Sequence, residues 1–370
     1  MKVHRDHITT ERILVRCDGS PQIGFGHVVR CLALADELRD QHGCKVAFAM
    51  LGGLLGVAQV RKHGYGVYQP NIEISKPVNE GDWLQSVVRE MGAQVLALDV
   101  RTELPIEAIK QIRQSGVLIA TIDDPSERRL ETDLAFYPPV PQVEFLDWSG
   151  FRGTRHVGWE WVLLRSEFYH YRQKLLKIEY PQKPFAGKPT VLITMGGSDP
   201  AGLTLKVLQS IDLLDEEFNT VAILGSGFQE HVATRLWAET AKRKYNFLIN
   251  VEDMPSVMTR SDMAIVSFGV TAYELATLGV PSIHLCLSDD HAMSSSAFVR
   301  AGIAKSLGYH ADVSSHMIAA SVQELLLDHQ ERHRIQKRCF AQPIGGGCRL
   351  IASAIKKSVN HSCPIKSLKS

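Results

Sequence analysis

The sequence predicts an α/β fold with two similar halves, each a parallel sheet covered by helices. Short apolar runs alternate with amphipathic helical patterns, and each half carries a glycine loop between a strand and a helix. A length of 370 residues is sufficient for two domains. Ligands of such sheets lie at the carboxyl ends of the strands. The glycine loops, which follow strands, are therefore the first candidates for a functional site.

The first glycine loop lies between a predicted strand, Ile13 to Val15, and a predicted helix, His27 to Arg39. The apolar residues of that helix recur with the spacing of one buried face. A helix N-terminus attracts anions because its first N–H groups are unpaired and its dipole end is positive. Gly24 and Gly26 would allow a phosphate to approach the backbone. A plain glycine turn with a capping histidine is the alternative interpretation.

His27 stands where this helix begins. The helix dipole disfavours a second positive charge there, so we expect a neutral imidazole that could act as a general base. A dinucleotide site fits the loop poorly. Arg30 stands close to where a third small residue is needed, and the strand Lys45 to Met50 ends in LGG without a carboxylate.

The composition argues against several classes of protein. The formal net charge of +1 gives no indication of a nucleic-acid or anionic-membrane partner. The longest uncharged apolar-rich run, Val46 to Val60, contains three glycines and is too short to span a bilayer. Residues 1–11 are polar and charged, unlike a secretory signal. We expect a soluble, cytoplasmic protein, and the sequence indicates no oligomeric state.

The cysteine pattern is consistent with a reduced cellular setting. There are seven cysteines and no C-x-x-C pair. Four of them lie in apolar segments, and we expect these to be small core residues: Cys17, Cys31, Cys44 and Cys286.

Further strands and helices alternate through the first half. The predicted strands are Val46 to Met50, Val95 to Leu98 and Val117 to Ile122, and the predicted helices are Leu54 to His63, Trp83 to Met91 and Leu104 to Gln114. Four aspartates directly follow strands and could line one cleft: Asp18, Asp99, Asp123 and Asp124. Alternatively, Asp99 and Asp123 cap the turns that follow them. Residues 137–160 are not assigned.

The second half repeats the pattern of a glycine turn followed by a helix. Gly196-Gly197-Ser198 follows the strand Thr190 to Met195 and precedes a helix that ends near Ile211, with Pro200 in its first turn. This turn is a second candidate anion site. The remaining predicted strands are Thr220 to Leu224, Phe247 to Val251, Ala264 to Val266 and Pro281 to Leu287, with a further helix after Ser288.

Another helix start, Gly269 to Thr271, consists of small residues and precedes a predicted helix, Ala272 to Leu278. Glu274 is expected on its first turn. A diphosphate could bind across these N–H groups, and Glu274 could accept hydrogen bonds from a ribose diol. The alternative is a favourable first-turn acid on a surface helix.

These motifs together resemble the PseG/SpsG-like family and its relative MurG. PseG is a UDP-2,4-diacetamido-2,4,6-trideoxy-β-L-altropyranose hydrolase of pseudaminic acid synthesis, and MurG is a UDP-N-acetylglucosamine glycosyltransferase. The matching segments lie between Arg12 and Ile355: Arg16-Cys17-Asp18-Gly19, Ile23 to Ala35, Ile122-Asp123-Asp124, Leu163 to Phe168, Thr194 to Pro200, and Gly269 to Glu274 with Leu278 to Pro281.

The resemblance implies a GT-B fold, in which two Rossmann-like domains enclose a nucleotide-sugar cleft. The mixture of Lys, Pro and Gln after Tyr171 predicts a linker at Pro181 to Pro189. We therefore expect a first domain at residues 1–180 and a second domain at residues 189–348, and the resemblance implies that the second domain binds UDP. Residues 349–370 would form a helix, about Arg349 to Val359, that crosses back to the first domain, and a tail.

The resemblance also implies a site in which His27 is catalytic. The implied UDP-sugar ligands are Asp18, Gly24, Gly26, Gly197, Ser198, Gly225, Met254, Phe268, Gly269, Thr271, Glu274, Asp290 and His291. The implied reaction is hydrolysis at C1 of a UDP-linked diacetamido-deoxy sugar, in nonulosonic acid or surface polysaccharide biosynthesis. No metal or other cofactor is expected, because no D-x-D segment occurs.

Two segments depart from the family pattern. Asp99-Val100-Arg101 replaces a D-H-Y-like segment, and Asp290-His291 replaces N-Q and is closer to the D-H-Q of MurG-type transferases. A glycosyltransferase therefore stays open as an alternative, as does a binding protein without turnover. His329 and His333 have the i, i+4 spacing of a zinc site but lack the glutamate after the first histidine, so we expect a solvated helix face.

Overall fold

Two all-parallel sheets form the framework of the chain in a computed structural model, which describes residues 10–20, 24–71, 78–178, 187–225, 227–228, 231–249 and 251–362. When the strands of each sheet are numbered along the chain, their spatial order is 3-2-1-4-5-6-7 in the seven-stranded sheet and 3-2-1-4-5-6 in the six-stranded sheet. Both follow the 3-2-1-4-5-6 order of a Rossmann fold, with one strand added to the first sheet. The prediction of two similar α/β halves is confirmed.

The first lobe, residues 10–163, contains the seven-stranded sheet. Its strands read as apolar runs because both faces are covered by helices, and all of Val95–Asp99 is buried. Its strands are β1 Arg12–Cys17, β2 Lys45–Ala49, β3 Gly66–Tyr68, β4 Val95–Asp99, β5 Leu118–Ile122, β6 Leu134–Tyr137 and β7 Thr154–Val157. Its helices are α1 Gly26–Asp40, α2 Leu54–Lys62, α3 Glu80–Met91, α4 Ile106–Gln114 and α5 Gln142–Phe145.

The second lobe, residues 164–346, contains the six-stranded sheet. Its strands are β8 Thr190–Thr194, β9 Asn219–Leu224, β10 Asn246–Ile249, β11 Met263–Ser267, β12 Ser282–Cys286 and β13 Lys305–Tyr309. Its helices are α6 Ser166–Lys177, α7 Leu203–Ile211, α8 His231–Thr240, α9 Met254–Thr259, α10 Val270–Thr277, α11 Asp289–Arg300, α12 Ser315–Leu327 and α13 His329–Ala341. Phe168 of α6 is fully buried in the core of this lobe.

The last helix, α14 Gly347–Ser362, packs on the first lobe. Ile351, Ala352 and Ile355 are fully buried in one cluster with Ile13 and Leu34. The chain therefore crosses between the lobes twice, once near Leu163 and once before α14. The predicted domain limits stay a prediction, and residues 181–186 of the predicted linker, like residues 363–370 of the tail, lie outside the described part.

The predicted cysteines Cys17, Cys31, Cys44 and Cys286 are all buried free thiols, as expected. The short strands β3, β6 and β7 were missed, because three or four residues carry too little periodic pattern. In the part of the chain that the structure describes, every helix is too short or too polar to span a bilayer.

Candidate active site

A cavity of about 1310 Å³ lies between the two lobes, at the carboxyl ends of both sheets. The strand order reverses between β1 and β4 in one lobe and between β8 and β11 in the other. Ligands of open α/β sheets bind at such switch points. The loops that follow β1, β8 and β11 all line the cavity, so the two switch points share it.

The cavity brings together every predicted site residue except Asp18. Those lining it are Gly24, Gly26, His27, Gly197, Ser198, Gly225, Met254, Phe268, Gly269, Thr271, Glu274, Asp290 and His291. Asp18 does not line it, because its carboxylate accepts from the Leu51 N–H at 2.8 Å and pairs with Arg16 at 2.6 Å. These contacts tie the loop after β1 to the end of β2. Its assignment as a substrate ligand stays a prediction.

His27 is held by a buried carboxylate at the end of β4. Its Nδ1 lies 2.7 Å from Oδ1 of Asp99, and its side chain keeps 19% of its surface exposed. In the neutral form of the ring, we assign the proton to Nδ1, since the carboxylate can only accept. Nε2 then carries the free lone pair, which is the arrangement of a histidine base oriented by an aspartate.

Arg30 holds the same carboxylate from the next turn of α1. Its Nε and Nη2 donate to the two oxygens of Asp99, each at 2.6 Å, in a bidentate pair. Burial alone would raise the pKa of Asp99, but the charges and hydrogen bonds of Arg30 and His27 outweigh it and hold this pKa well below its usual range. Asp99 is therefore ionised despite being 1% exposed.

Asp123 and Arg101 extend this charged group along the cavity wall. Arg101 Nη2 donates to Asp123 Oδ2 at 2.9 Å, and Arg30 Nη1 lies 3.5 Å from the same oxygen. Asp123 has a φ of 53°, a left-handed conformation that is uncommon outside glycine. Such strain is concentrated at functional sites, where surrounding contacts maintain it. Asp99 and Asp123 thus form ion pairs with these arginines rather than simply capping turns.

The glycine turn after β8 packs closely on the turn after β9. A Cβ at Gly225 would lie 2.2 Å from the carbonyl oxygen of Gly197, so no side chain fits at Gly225. The same carbonyl accepts from the Gly227 N–H at 2.9 Å. The predicted role of these glycines in ligand approach stays a prediction. Their packing role is evident from the geometry.

The predicted anion site at the helix after this turn is wrong. Helix α7 begins at Leu203, after Gly202, so Pro200 lies before the helix rather than in its first turn. The Asp199 carboxylate accepts from the N–H groups of Leu203 and Thr204 at 2.8 and 2.7 Å. An intramolecular carboxylate therefore occupies the N-terminus where we expected a phosphate. Ser198 and its neighbours still line the cavity.

The N-terminus of α10 is different, because it has no side-chain cap. Gly269 precedes the helix in an extended conformation, and a Cβ added there would meet no atom within 4 Å. Gly269, Val270 and Thr271 all line the cavity. This end of α10 thus offers backbone N–H groups and the positive end of the helix dipole to a ligand.

Glu274 lies in the second turn of α10, not in the first as predicted, because the helix begins at Val270. It is only 6% exposed, so the alternative of a surface acid does not apply. Burial raises the pKa of its carboxyl group, while the charge and the hydrogen bond of Arg165 act in the opposite direction. Arg165 Nη2 donates to Glu274 Oε1 at 3.1 Å.

Asp290 and His291 also line the cavity, at the start of α11 in the same lobe. Gln142 of the first lobe donates through Nε2 to Oδ1 of Asp290 at 2.9 Å and to Oγ of Ser294 at 2.6 Å. This contact joins the lobes across the cavity. Burial lowers the pKa of His291 and outweighs the neighbouring carboxylates, so its ring is neutral near pH 7.

Within the described ranges, no group of three or more histidine, cysteine, aspartate or glutamate side chains is arranged to hold a metal ion. His329 and His333 lie in α13, the charged helix in which we noted their spacing. Several charged groups of the cavity instead form ion pairs, among them Arg30 and Arg101 with Asp123 and Arg165 with Glu274.

No protein family model matches the chain. It is 26% identical over 282 residues to the uncharacterized protein MJ1062 of Methanocaldococcus jannaschii, covering 74% of this chain and only 55% of that protein. It is 23% identical over 299 residues to the spore coat polysaccharide biosynthesis protein SpsG of Bacillus subtilis, covering 79% and 82%. It is 24% identical over 260 residues to the UDP-2,4-diacetamido-2,4,6-trideoxy-beta-L-altropyranose hydrolase of Campylobacter jejuni, covering 69% and 84%.

Solved structures establish the fold class. MurG of Acinetobacter baumannii superposes with a TM-score of 0.71 at 15% identity, covering 94% of this chain and 99% of that one. The UDP complex of MnaA from S. aureus gives 0.65 at 12% identity, covering 95% and 97%. The UDP-GlcNAc 2-epimerase of Neisseria meningitidis, bound to UDP-GlcNAc, gives 0.62 at 15% identity, covering 94% and 100%. The chain has the GT-B fold, and its relatives include enzymes of nucleotide sugars.

Sequence reasoning missed several partners in this site. Asp99 was noted as a residue at a strand end, but its pairing with His27 was not predicted. The contacts of Arg165 and Gln142 were also missed, because each joins groups more than 100 positions apart in the chain. Of these partners, only Asp99 could have been identified from the sequence, because it is a carboxylate at the end of the strand beside β1.

Proposed function

We propose that this protein is a hydrolase that releases UDP from a UDP-linked diacetamido-deoxy sugar, in nonulosonic acid or surface polysaccharide biosynthesis. One observation carries the proposal: the His27 and Asp99 pair of the first lobe shares a cavity with the uncapped N-terminus of α10 in the second. A base and an anion site would thereby meet in one space.

The second lobe would hold the nucleotide. The backbone N–H groups at the start of α10 would bind the diphosphate, with Gly269 leaving space for its approach. Glu274 would accept hydrogen bonds from the ribose hydroxyls, since a carboxylate has several free lone pairs. As the bond from C1 to the diphosphate breaks, the helix dipole would stabilise the charge on the departing UDP.

The first lobe would supply the base. His27 Nε2 would accept a proton from water as the water oxygen forms a bond to C1 and UDP leaves with the electrons of the broken bond. Asp99 would hold the ring in the correct tautomer and stabilise the imidazolium that forms. Holding water and C1 in line would supply a large part of the rate increase.

The Campylobacter relative, a UDP-sugar hydrolase by name, supports hydrolysis of this substrate class, and SpsG supports a place in polysaccharide biosynthesis. A glycosyltransferase is the second candidate. A cavity of about 1310 Å³ exceeds the roughly 300–1,000 Å³ of a typical small-molecule site, which leaves room for an acceptor. In that case His27 would deprotonate an acceptor hydroxyl in place of water.

The test is release of UDP from candidate UDP-sugars by the full chain, with and without acceptor sugars. We expect acceptor-independent UDP release, and a loss of at least about 100-fold in turnover for His27→Ala, since a general base contributes this much. Asp99→Asn is expected to lower turnover as well, because the amide can leave the ring in the wrong tautomer.

His170→Ala is the matched control, because His170 lines the same cavity without contacting Asp99. Its turnover should equal that of the native chain. Turnover by His27→Ala at the native rate would refute His27 as the base. UDP release that needs an acceptor would favour the transferase, and no turnover with any UDP-sugar would favour a binding protein.

A further inference from the structure

The contact between Arg165 and Glu274 joins the nucleotide side of the cavity to the segment that connects the lobes. Leu163 is buried in the core of the first lobe and Leu164 in that of the second, so Arg165 directly follows the crossing point. Its Nη2 donates to Glu274 Oε1 at 3.1 Å. Both residues line the cavity.

The guanidinium group of Arg165 is fixed on two further sides. Nη1 lies 2.7 Å from Oε1 of Glu167, at the start of α6. Its Cζ lies 4.9 Å from the ring centroid of Phe168, which is fully buried. A planar guanidinium held in this way keeps its N–H groups in a fixed orientation. The ammonium group of a lysine, on a flexible stem, would not be fixed in the same way.

The carboxylate of Glu274 needs such a partner. Only 7% of its side-chain surface is exposed, and a buried carboxylate without a cation or donors is strongly disfavoured. The charged groups that act on it are Arg165, from the segment between the lobes, and Glu167, from α6. Arg165 is the attractive one of the two, so it opposes both the burial of Glu274 and the repulsion by Glu167.

We propose that Arg165 is a positioning residue, which orients the Glu274 carboxylate so that it accepts hydrogen bonds from the ribose hydroxyls of the bound nucleotide. The hydrogen bond from Arg165 uses one lone pair of Oε1 and leaves the other acceptor positions of the carboxylate for the ligand. The inference rests on the proposed nucleotide site. It adds that the chain segment between the lobes sets the selectivity for ribose.

The experiment measures binding of UDP and 2′-deoxy-UDP to the full chain by calorimetry at pH 6, 7 and 8. The native chain should bind UDP more tightly than the deoxy form. Arg165→Gln should weaken UDP binding by at least about tenfold, since a charge-assisted network is lost, and should abolish the preference for ribose. Its affinity for UDP should also fall from pH 8 to pH 6, because a buried glutamate without its cation is protonated more readily.

Arg165→Lys retains a positive charge and should restore a part of the affinity and of the preference for ribose. Arg349→Gln is the matched control: Arg349 also lines the cavity but stacks on Tyr169, 5.1 Å from its ring centroid. It should keep the native preference and pH profile. Circular dichroism and thermal unfolding identify a variant that does not fold, and Arg165→Lys then decides the question.

Two failures can be told apart. If the native chain does not bind UDP, the proposed function is wrong. If the native chain prefers UDP and the folded Arg165 variants keep both that preference and the native pH profile, Arg165 has only a structural role and the inference is wrong.

Discussion

At the scale of single residues, the site depends on a helical spacing. His27 and Arg30 are three positions apart in α1, so both side chains lie on one face and reach the same carboxylate. Arg30 keeps Asp99 ionised, and Asp99 in turn orients His27. The histidine therefore owes its orientation to a residue 72 positions away in the chain.

His284 gives a prediction at this scale. It is fully buried on β12, and its two ring nitrogens contact the hydroxyls of Ser282 and Ser295 at 2.9 and 2.8 Å. Burial lowers its pKa to about 3. The unfolded chain, with an ordinary histidine pKa of about 6.5, binds a proton that the folded chain excludes. The stability due to His284 is thus complete above pH 6.5 and is lost as the pH falls toward 3.

The free energy of unfolding should accordingly fall by about 2 kcal/mol between pH 7 and pH 5 from His284 alone. Urea unfolding at both pH values measures the total change, to which other groups also contribute. His284→Gln is the control, because it cannot titrate. The change in unfolding free energy should be smaller in this variant by about the same 2 kcal/mol, and an equal change in both chains would contradict the prediction.

At the scale of elements, two glycine turns that look alike in sequence have different roles. Asp199 adopts a φ of 44° and folds back onto the N-terminus of α7, whereas α10 has no side-chain cap. The sequence shows small residues before both helices. It does not show that the Asp199 carboxylate accepts hydrogen bonds from the first N–H groups of α7. Proximity to a glycine turn therefore did not distinguish a self-capped helix from one that is open to a ligand.

Gly269→Ala tests the open helix. The backbone of Gly269 is extended, and an added Cβ would have no neighbour within 4 Å, so the fold should tolerate alanine. The methyl group would stand in the cavity where the diphosphate is expected. We expect unchanged stability and a UDP affinity reduced by about tenfold or more, equivalent to at least about 1.4 kcal/mol, in calorimetric titrations.

The matched control is Gly66→Ala on the edge strand β3. An added Cβ there also has no neighbour within 4 Å, but Gly66 does not line the cavity. It should bind UDP as the native chain does. Native affinity in Gly269→Ala would mean that the diphosphate lies elsewhere.

At the scale of the whole molecule, the two chain crossings between the lobes pack against each other. A Cβ at Gly347 would lie 2.1 Å from the carbonyl oxygen of Val162, and the Cys348 thiol donates to the Leu164 carbonyl at 3.1 Å. The segment that leaves the first lobe and the segment that returns to it are therefore in direct contact.

Gly347→Ala should push these crossings apart. We expect a loss of about 1–3 kcal/mol in the free energy of unfolding, the usual cost of overpacking a tight site. Urea unfolding of Gly346→Ala provides the comparison, because a Cβ there would have its nearest neighbour at 4.0 Å. Equal stability of the two variants would contradict the proposed contact.

The sequence was sufficient to predict the α/β class, the strand and helix alternation and the cavity location of His27, Glu274 and Asp290. The class and the alternation follow from local periodicity, and His27 and Glu274 were first singled out as residues of helix starts that follow strands. Asp290 was placed in the site only by the resemblance to a known family. The partners of these residues were not predicted. Asp99 comes close to His27 once β4 pairs with β1 in the first sheet. Arg165 and Gln142 contact Glu274 and Asp290, respectively, across more than 100 positions, and the second of these contacts forms only when the two lobes meet. No spacing in the sequence encodes these contacts.

The placement of α14 has a consequence for how the protein is made. The apolar surface of the first lobe around Ile13 and Leu34 is covered by Ile351 and Ile355, which follow the whole second lobe in the chain. The ribosome therefore synthesises the first lobe early but leaves this surface exposed to water until the second lobe and α14 have been made. A chain truncated before residue 347 would retain that exposed apolar surface and would be prone to aggregation.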